Sequence, residues 1–266
     1  KLDQNSRISL SNNDSGTSNT VFGKLAGNNI DSGSNYNTFI GEQVSDATMD
    51  DANSNVGVGY ASLSALTQGD HNVAIGANVM NELTTGSQNV GMGLSALRYN
   101  QTGTGNIALG HQSMQSASGN SHSNNTSVGQ QSLYSITTGG NNTALGYQSA
   151  YSLTTGSENV SIGRGSSYSA TVSGENISIG TQSLYTNTAG KRNIAIGLYS
   201  QNAGNLTVEG QIANNVSIGY ASSYHNVTGT ANTAVGNEAM KGASGNSHSN
   251  NTAVGYQSLK AVTTGG

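Results

Sequence analysis

The sequence predicts an all-β fold in which short strands stack as the coils of a parallel β-solenoid, or β-roll. Three observations support this prediction. A five-residue unit recurs fourteen times in 266 residues, the commonest interval between copies is 17 residues, and the composition does not suit a conventional globular core. The chain contains 37 Gly but only 2 Phe, no Trp, no Cys and no Pro, and 8% of its residues are charged. Because large apolar side chains are scarce, the backbone must supply much of the structure.

The recurring unit is Asn, then Thr, Val or Ile, then any residue, then an apolar residue, then Gly. Successive copies are separated by 18, 18, 17, 17, 17, 19, 17, 17, 17, 17, 22, 17 and 19 residues. One strand and one corner about every 17 residues are typical of a solenoid in which each repeat forms one coil. We therefore expect about 14 coils, beginning at Asn19, Asn37, Asn55, Asn72, Asn89, Asn106, Asn125, Asn142, Asn159, Asn176, Asn193, Asn215, Asn232 and Asn251.

Alternation along a strand places the second and fourth residues of the unit on one face and the third on the other. The second position is β-branched and the fourth apolar in every copy, so both are predicted to point into the coil. The third position is Ala, Ser or Gly in twelve copies, with Val21 and Phe39 as exceptions. It is predicted to form a flat outer face that permits another chain to approach. The closing Gly suits a corner with positive φ or a close approach between strands.

The repeated asparagines are expected to be structural. Stacked coils place each copy above the next at strand spacing, where amide side chains hydrogen-bond along the stacking axis. The predicted ladder and its corner glycines are Asn72, Asn89, Asn106, Asn125, Asn142, Asn159, Asn176, Asn193, Asn215, Asn232, Asn251, Gly76, Gly93, Gly110, Gly146, Gly163, Gly180 and Gly197.

The linkers between units are less regular. Their apolar residues recur three apart, as at Leu63 and Leu66. That spacing suits one helical turn, whereas a second strand would favour a spacing of two, and a 17-residue coil accommodates either. The longest interval, from Asn193 to Asn215, is predicted to contain a surface-loop insertion around residues 206–210.

A longer period lies above the short one. Residues 117–126 recur letter for letter at 243–252, an offset of 126 residues that spans seven coils. We interpret residues 1–18 as a lead-in segment and residues 19–266 as a repetitive β-roll shaft. The sequence stops partway through a coil, which predicts that it is a segment of a longer fibre.

Composition and motifs argue against several classes of function. A net charge of −4 with 9 Lys and Arg gives no basic surface for nucleic acid, and no apolar run has the length of a membrane span. Without Cys there is no disulfide, thiolate metal site or cysteine nucleophile. Neither a cluster of acid–base groups nor a phosphate-binding loop is found. The sequence predicts a protein that is not an enzyme and takes no cofactor.

Three groups of side chains deserve a test for binding. His122 and His248 occupy equivalent places in two 19-residue coils. In a trimer, three copies of one of these histidines could hold a metal ion. A position on an insertion loop is preferred, and no metal is predicted. Asp46, Asp50 and Asp51 share a linker that could hold a cation, although a solvated loop is preferred. The linker tyrosines are Tyr134, Tyr151, Tyr168 and Tyr185. Their rings could contact glycans, but packing between coils is the preferred interpretation.

Several units resemble the repeats of two related families. These units are residues 72–76, 193–197 and 251–259, with the sequences NVAIG, NIAIG and NTAVGYQSL. They are similar to the head repeats of YadA-like trimeric autotransporter adhesins and to the shafts of bacteriophage tail fibres. The similarity extends from about Arg7, whose following residues also resemble the lead-in to such phage shafts, to the end of the sequence. It implies a left-handed parallel β-roll, assembled as a parallel homotrimer in an attachment organelle.

The resemblance favours the phage family, because the adhesin heads have a shorter coil and their neck and anchor regions are not found in these residues. The expected function is the structural shaft of a virion tail fibre that presents a distal receptor-binding tip for host attachment. Expected partners are further copies of the chain, neighbouring fibre or baseplate proteins, and a host cell-surface receptor contacted through that tip. The alternative is a trimeric adhesin on a bacterial cell surface that binds host matrix or glycan. An ice-binding solenoid is disfavoured, because the second motif position mixes Thr, Val and Ile.

Overall fold

The computed structural model describes residues 16–203, 211–244 and 247–262, together with the backbone of a two-residue strand at 8–9. Within these residues the chain forms strands, turns and no helix. The all-β prediction is confirmed. The predicted insertion at residues 206–210 lies outside the described residues. The chain divides into two compact units, residues 1–130 and residues 131–266.

Unit 1 contains one parallel sheet. Its strands β2 to β8 pair in parallel, so that residues in equivalent motif positions lie opposite one another, as Val73 does with Val90. A short strand, β1, pairs antiparallel with β2. The strands are β1 (Ile8–Ser9), β2 (Thr20–Phe22), β3 (Thr38–Ile40), β4 (Val56–Val58), β5 (Val73–Ile75), β6 (Val90–Met92), β7 (Ile107–Leu109) and β8 (Thr126–Val128).

Unit 2 repeats the arrangement with seven parallel strands, and Ile177 lies opposite Ile194 in the same register. The strands are β9 (Thr143–Leu145), β10 (Val160–Ile162), β11 (Ile177–Ile179), β12 (Ile194–Ile196), β13 (Val216–Ile218), β14 (Thr233–Val235) and β15 (Thr252–Val254). In each unit, seven motif strands about 17 residues apart form a parallel β-solenoid. The predicted fold, with one strand for each repeat, is confirmed.

The two faces of the strands are the reverse of the prediction. The middle residue of each motif strand is the buried one, and its two neighbours are half-buried or exposed, as in β5, where Ala74 is fully buried. The interior is narrow, because linker side chains fill it from the opposite side. A Cβ on Gly91 would lie 2.7 Å from Cγ1 of Val79 and 3.0 Å from Cε of Met80. Small residues therefore occupy the inside of the strand, and the expected flat outer face of small residues is wrong.

The one large aromatic residue inside a strand is accommodated by glycine. Phe39 is fully buried, and a Cβ built on either Gly27 or Gly57 would lie 3.3 Å from its ring. The space that a larger side chain would take at these two positions is used by Phe39. Glycine at these two positions thus makes room for the bulky strand residue, as close packing requires.

The linkers form turns instead of a second strand. The N–H of Leu66 donates to the carbonyl of Leu63 at 3.0 Å, and both side chains are fully buried. The apolar spacing of three therefore reflects one hydrogen-bonded turn. The N–H of Leu63 also donates to the carbonyl of Val79 at 3.0 Å, and that of Ala65 to Asn81 at 3.1 Å. Hydrogen bonding between coils thus continues beyond the strands.

The coil requires left-handed backbone at many positions. Within the described residues, 39 non-glycine residues have positive φ, among them Leu63 at 54° and Met80 at 48°. The motif glycines take a different conformation, with φ from 117° to 139°. A Cβ at Gly59 would also lie 2.3 Å from the carbonyl oxygen of Gly76 in the next coil. Both reasons expected for the closing Gly are confirmed.

We predict that enlarging the inner strand position destabilises the protein, whereas the same change on the outer face does not. Ala74→Leu should lower the free energy of unfolding by about 1–3 kcal/mol, because the added atoms overpack a filled interior. Val73→Leu, one residue away on the outer face, should change it by about 0.5 kcal/mol or less. Denaturant unfolding measures both. Equal losses in the two variants would contradict the assignment of the faces.

Candidate functional site: the amide ladders and the outer strand face

The motif asparagines form a continuous hydrogen-bonded ladder within unit 1. Oδ1 of Asn72 accepts hydrogen bonds from the backbone N–H and from Nδ2 of Asn89, each at 3.0 Å. Oδ1 of Asn89 likewise accepts hydrogen bonds from the backbone N–H and from Nδ2 of Asn106, each at 3.0 Å. Nδ2 of Asn89 also donates to the carbonyl of Gly103 at 2.9 Å. Each amide therefore joins two coils and also fastens the start of a coil to its end.

Unit 2 contains the same ladder. Oδ1 of Asn142 accepts from the backbone N–H and from Nδ2 of Asn159 at 3.0 and 2.9 Å. Asparagine suits this position because its short amide combines an acceptor oxygen with two N–H donors. Aspartate lacks the donors, and glutamine would place them one methylene further out. The other predicted ladder residues make equivalent bonds in their own units, and these are Asn125, Asn176, Asn193, Asn215, Asn232 and Asn251.

The predicted corner glycines stand at the end of each strand, with φ between 118° and 136°, and these are Gly76, Gly93, Gly110, Gly146, Gly163, Gly180 and Gly197. With the ladder, they give each coil a fixed beginning and a fixed corner. Their contribution to function is architectural: they hold the outer residues of successive strands in register.

The second and fourth residues of the motif form the outer strand face of each unit: the fourth is apolar in every copy, and the second is Val or Ile in eight copies and Thr in six. Phe22 and Met92 are each 47% exposed in unit 1, and Val254 is 67% exposed in unit 2. Ile107 and Ile177 are also exposed. None of these outer positions carries a charged residue in any of the fourteen motifs. Exposed apolar residues repeated along one uncharged face are typical of a surface that contacts other proteins.

His122 and His248 point into their coils. Each side chain is 1% exposed, and neither ring nitrogen has a hydrogen-bond partner within the described residues. Burial lowers the pKa of His122 from 6.5 to about 4 and also lowers the pKa of His248. The extra residues of the first 19-residue coil are exposed at 117–119, so the histidine lies beneath that bulge. A ring buried in this way is not presented to a metal site shared between chains.

The acidic linker is held by a hydrogen bond to the next coil. Asp50 accepts a hydrogen bond from Gln68 at 2.7 Å, and burial raises the pKa of Asp46. Among the residues that the structure describes, no group of three or more His, Asp or Glu side chains is placed to hold a metal ion.

Four linker tyrosines of unit 2 stack on one another. The ring centroids of Tyr134, Tyr151, Tyr168 and Tyr185 are separated successively by 5.0, 5.1 and 5.1 Å, with interplanar angles of 2° to 11°. The inner rings have both faces covered by their neighbours. This arrangement is packing between coils, the reading preferred over glycan contact.

Sequence reasoning missed a second set of buried asparagines. Oδ1 of Asn100 accepts from the N–H groups of Gly103 and His122, both at 3.2 Å, and Asn187 and Asn226 make the same turn with a glycine three residues on. Asn-x-x-Gly at this linker position is the signal that could have identified them. They replace the buried leucine or isoleucine of other coils, and their side chains cap the turn instead of filling the interior.

A row of buried linker serines was also missed. Oγ of Ser149 donates to the carbonyl of Ser161 at 2.7 Å, and Oγ of Ser166 donates to that of Ser178 at 2.9 Å. These hydroxyls connect each linker to the strand of the next coil. The recurrence of Ser seven residues after the motif Asn could have revealed the row.

We predict that the ladder does not tolerate aspartate. Asn89→Asp removes the Nδ2 donors to Asn72 and Gly103 and places a carboxylate in a buried position. The free energy of unfolding should fall by about 3 kcal/mol or more. The exposed Asn237 provides the control, because Asn237→Asp should be close to neutral. If denaturant unfolding showed Asn89→Asp to be nearly neutral, the ladder would not contribute to stability as proposed.

We predict that the buried histidine makes stability depend on pH. The folded-state pKa of His122 lies below its unfolded value, so the unfolded chain binds more protons between pH 4 and 6.5. Stability is therefore full above pH 6.5 and is lost as the pH falls towards 4. Between pH 6.5 and pH 4, His122 should lower the free energy of unfolding by about 3 kcal/mol for each chain.

Unfolding of the wild type and of His122→Leu, measured from pH 4 to pH 7, tests this dependence. The variant should lose that part of the slope, whereas the control His111→Gln, at an exposed residue, should keep it. Parallel curves for His122→Leu and the wild type would show that the ring is not held neutral.

Comparison with known proteins gives no match to a family model, a curated protein or a solved structure. In the described part of the chain, no helix has the length and apolar character needed to cross a membrane. The function is therefore argued from the repeat, from the ladders and from the outer strand face.

Proposed function

We propose that this chain is a shaft segment of a phage tail fibre, assembled from three parallel copies, and that it holds a receptor-binding tip away from the virion. The observation that carries the proposal is the outer strand face, which is uncharged and has an apolar residue at the fourth position of every motif in both units. The resemblance of the motifs to tail-fibre shafts supports the choice of three chains and of a phage.

The role of such a segment is mechanical. Backbone bonds between coils, for example from Val90 N–H to the Asn106 carbonyl at 2.8 Å, run along the stacking direction together with the amide ladder. The interior of a coil is thin and combines a small strand residue with a few larger linker side chains such as Leu63 and Leu66, so a single chain has no broad apolar core. Association through the outer faces adds burial at about 25 cal/mol for each Å² of apolar surface removed from water.

The proposal also explains why the outer face lacks charge. A surface exposed to water in the working protein tolerates Lys and Glu at low cost, whereas one buried between chains does not. The charged residues lie elsewhere on the coil, as in the pair of Arg192 Nε with Glu175 Oε2 at 2.7 Å. The strand face is thus set apart for contact with other copies.

We predict a particle of three chains. Light scattering should give a mass near three times 27.0 kDa, and electron microscopy of the same sample should show thin rods. Ile107→Lys places a charge on the exposed outer face and should reduce the mass to that of one chain, because the charge would be desolvated in the interface.

Thr104→Lys introduces the same charge at an exposed residue off the strand and should leave the mass unchanged. Far-UV circular dichroism checks that both variants fold. A monodisperse wild-type monomer would refute the assembly, and a trimer in Ile107→Lys would refute the strand face as its interface.

A further inference from the structure

Three tyrosines of unit 2 are arranged differently from the stacked row. Tyr199 lies 6.3 Å from Tyr220 and 6.1 Å from Tyr224, measured between ring centroids, with interplanar angles of 73° and 76°. Perpendicular rings cover at most one face of one partner, whereas parallel stacking covers both faces of an inner ring. Tyr224 also meets the ring of His225 edge-on, with the centroids 4.6 Å apart, so the exposed ring of this group is that of Tyr220.

The three rings border an open cleft. Its volume is about 500 Å³, and its walls are Tyr199, Tyr220, Ala221, Tyr224, His225 and Lys241. This size lies within the range of small-molecule sites, which combine an aromatic wall with a few polar groups. Tyr220 is 45% exposed. None of the lining residues belongs to a strand, so the cleft is separate from the outer strand face.

The lysine on the polar side of the cleft is held by an ion pair. Nζ of Lys241 forms an ion pair with Glu238, whose carboxylate also accepts a hydrogen bond from Gln257 at 2.6 Å and pairs with Lys260 at 3.3 Å. The His225 backbone N–H donates to the Lys241 carbonyl at 3.0 Å. Lys241, the charged residue that lines the cleft, is thus paired with Glu238, which weakens its attraction for an anion, and its ammonium disfavours a cation.

The super-repeat shows that the solenoid does not need this cluster. At the offset of 126 residues, the places of Tyr220, Tyr224 and Lys241 are taken by Leu94, Arg98 and Gln115. There the guanidinium of Arg98 lies 4.9 Å from the centroid of the adjacent Tyr99 ring and covers it. The same coil geometry thus forms with other residues at these positions, so the solenoid repeat does not itself require Tyr220 or Tyr224.

We propose that this cleft binds a neutral pyranose unit of a polysaccharide. An uncharged sugar ring matches it chemically, because the apolar C–H face of the sugar packs on an open aromatic ring and its hydroxyls bond to groups such as His225 and the phenols. Hydroxyl groups exchange their hydrogen bonds with water at little net cost, so the aromatic contact supplies the selectivity for a ring with an apolar face. The site lies on the shaft and is additional to any tip.

Saturation-transfer NMR on the 266-residue protein tests the proposal with methyl glycosides of glucose, galactose, mannose and N-acetylglucosamine. At least one should receive saturation on the protons of its apolar face. Tyr220→Ala should weaken that binding about tenfold or more, whereas Tyr220→Phe, which keeps the ring, should stay within about threefold. Tyr147→Ala is the matched control, because Tyr147 is also 45% exposed and also follows a motif glycine.

Several results would overturn the site. They are transfer to none of the four glycosides, transfer that persists in Tyr220→Ala, equal losses in Tyr147→Ala and Tyr220→Ala, or binding confined to glucuronic and N-acetylneuraminic acids. Circular dichroism and the thermal midpoint of each variant establish that it is folded. The mass of each sample, measured separately, shows whether assembly has changed, so a failed glycan result is distinguishable from a failed assembly.

Discussion

The hydrogen bond between one coil and the next is the interaction on which the rest of this structure depends. Strand pairing provides part of it, but the linker turns and the motif amides continue it around the coil. The interior is too narrow for a large apolar core, so backbone and amide bonds define the fold to an unusual degree. This explains how a chain with few large apolar residues forms an ordered protein, and why its repeat conserves an amide and a glycine in every copy.

The narrow interior also governs which residues face outward. Alternation along a strand is a property of the backbone, and it correctly separates the two faces. Which face is inside depends on what fills the coil from the other side, and the linker leucines and methionines do so, among them Leu63 and Met80. The sequence therefore predicts the solenoid, its period and its corners, but the hydrophobic pattern alone assigns the strand faces wrongly. Ala74 is buried because space is short, not because Ala is apolar.

The same limit applies to individual side chains of the candidate sites. The amide ladder follows from periodicity, because equivalent positions must stack. The burial of His122 does not follow, since its coil contains two extra residues whose path the period does not determine. The edge-on arrangement of Tyr199 and Tyr224 is equally hidden, because the coil that follows the stacked row has Asn202 at the row position, and Tyr224 contacts Tyr199 instead. Departures from the period are therefore the places where the structure adds most to the sequence.

The linker residues with left-handed backbone conformation affect how the protein folds and unfolds. Each non-glycine residue at positive φ costs on the order of 1 kcal/mol, and the coils from Asn19 to Asn250 each contain two to four of them among the described residues. A coil by itself cannot offset that strain, since the bonds that do so belong to its neighbours. Each new coil must therefore form against a neighbouring coil that is already folded. Unravelling would correspondingly begin at a free end, while coils in the middle stay locked by both neighbours.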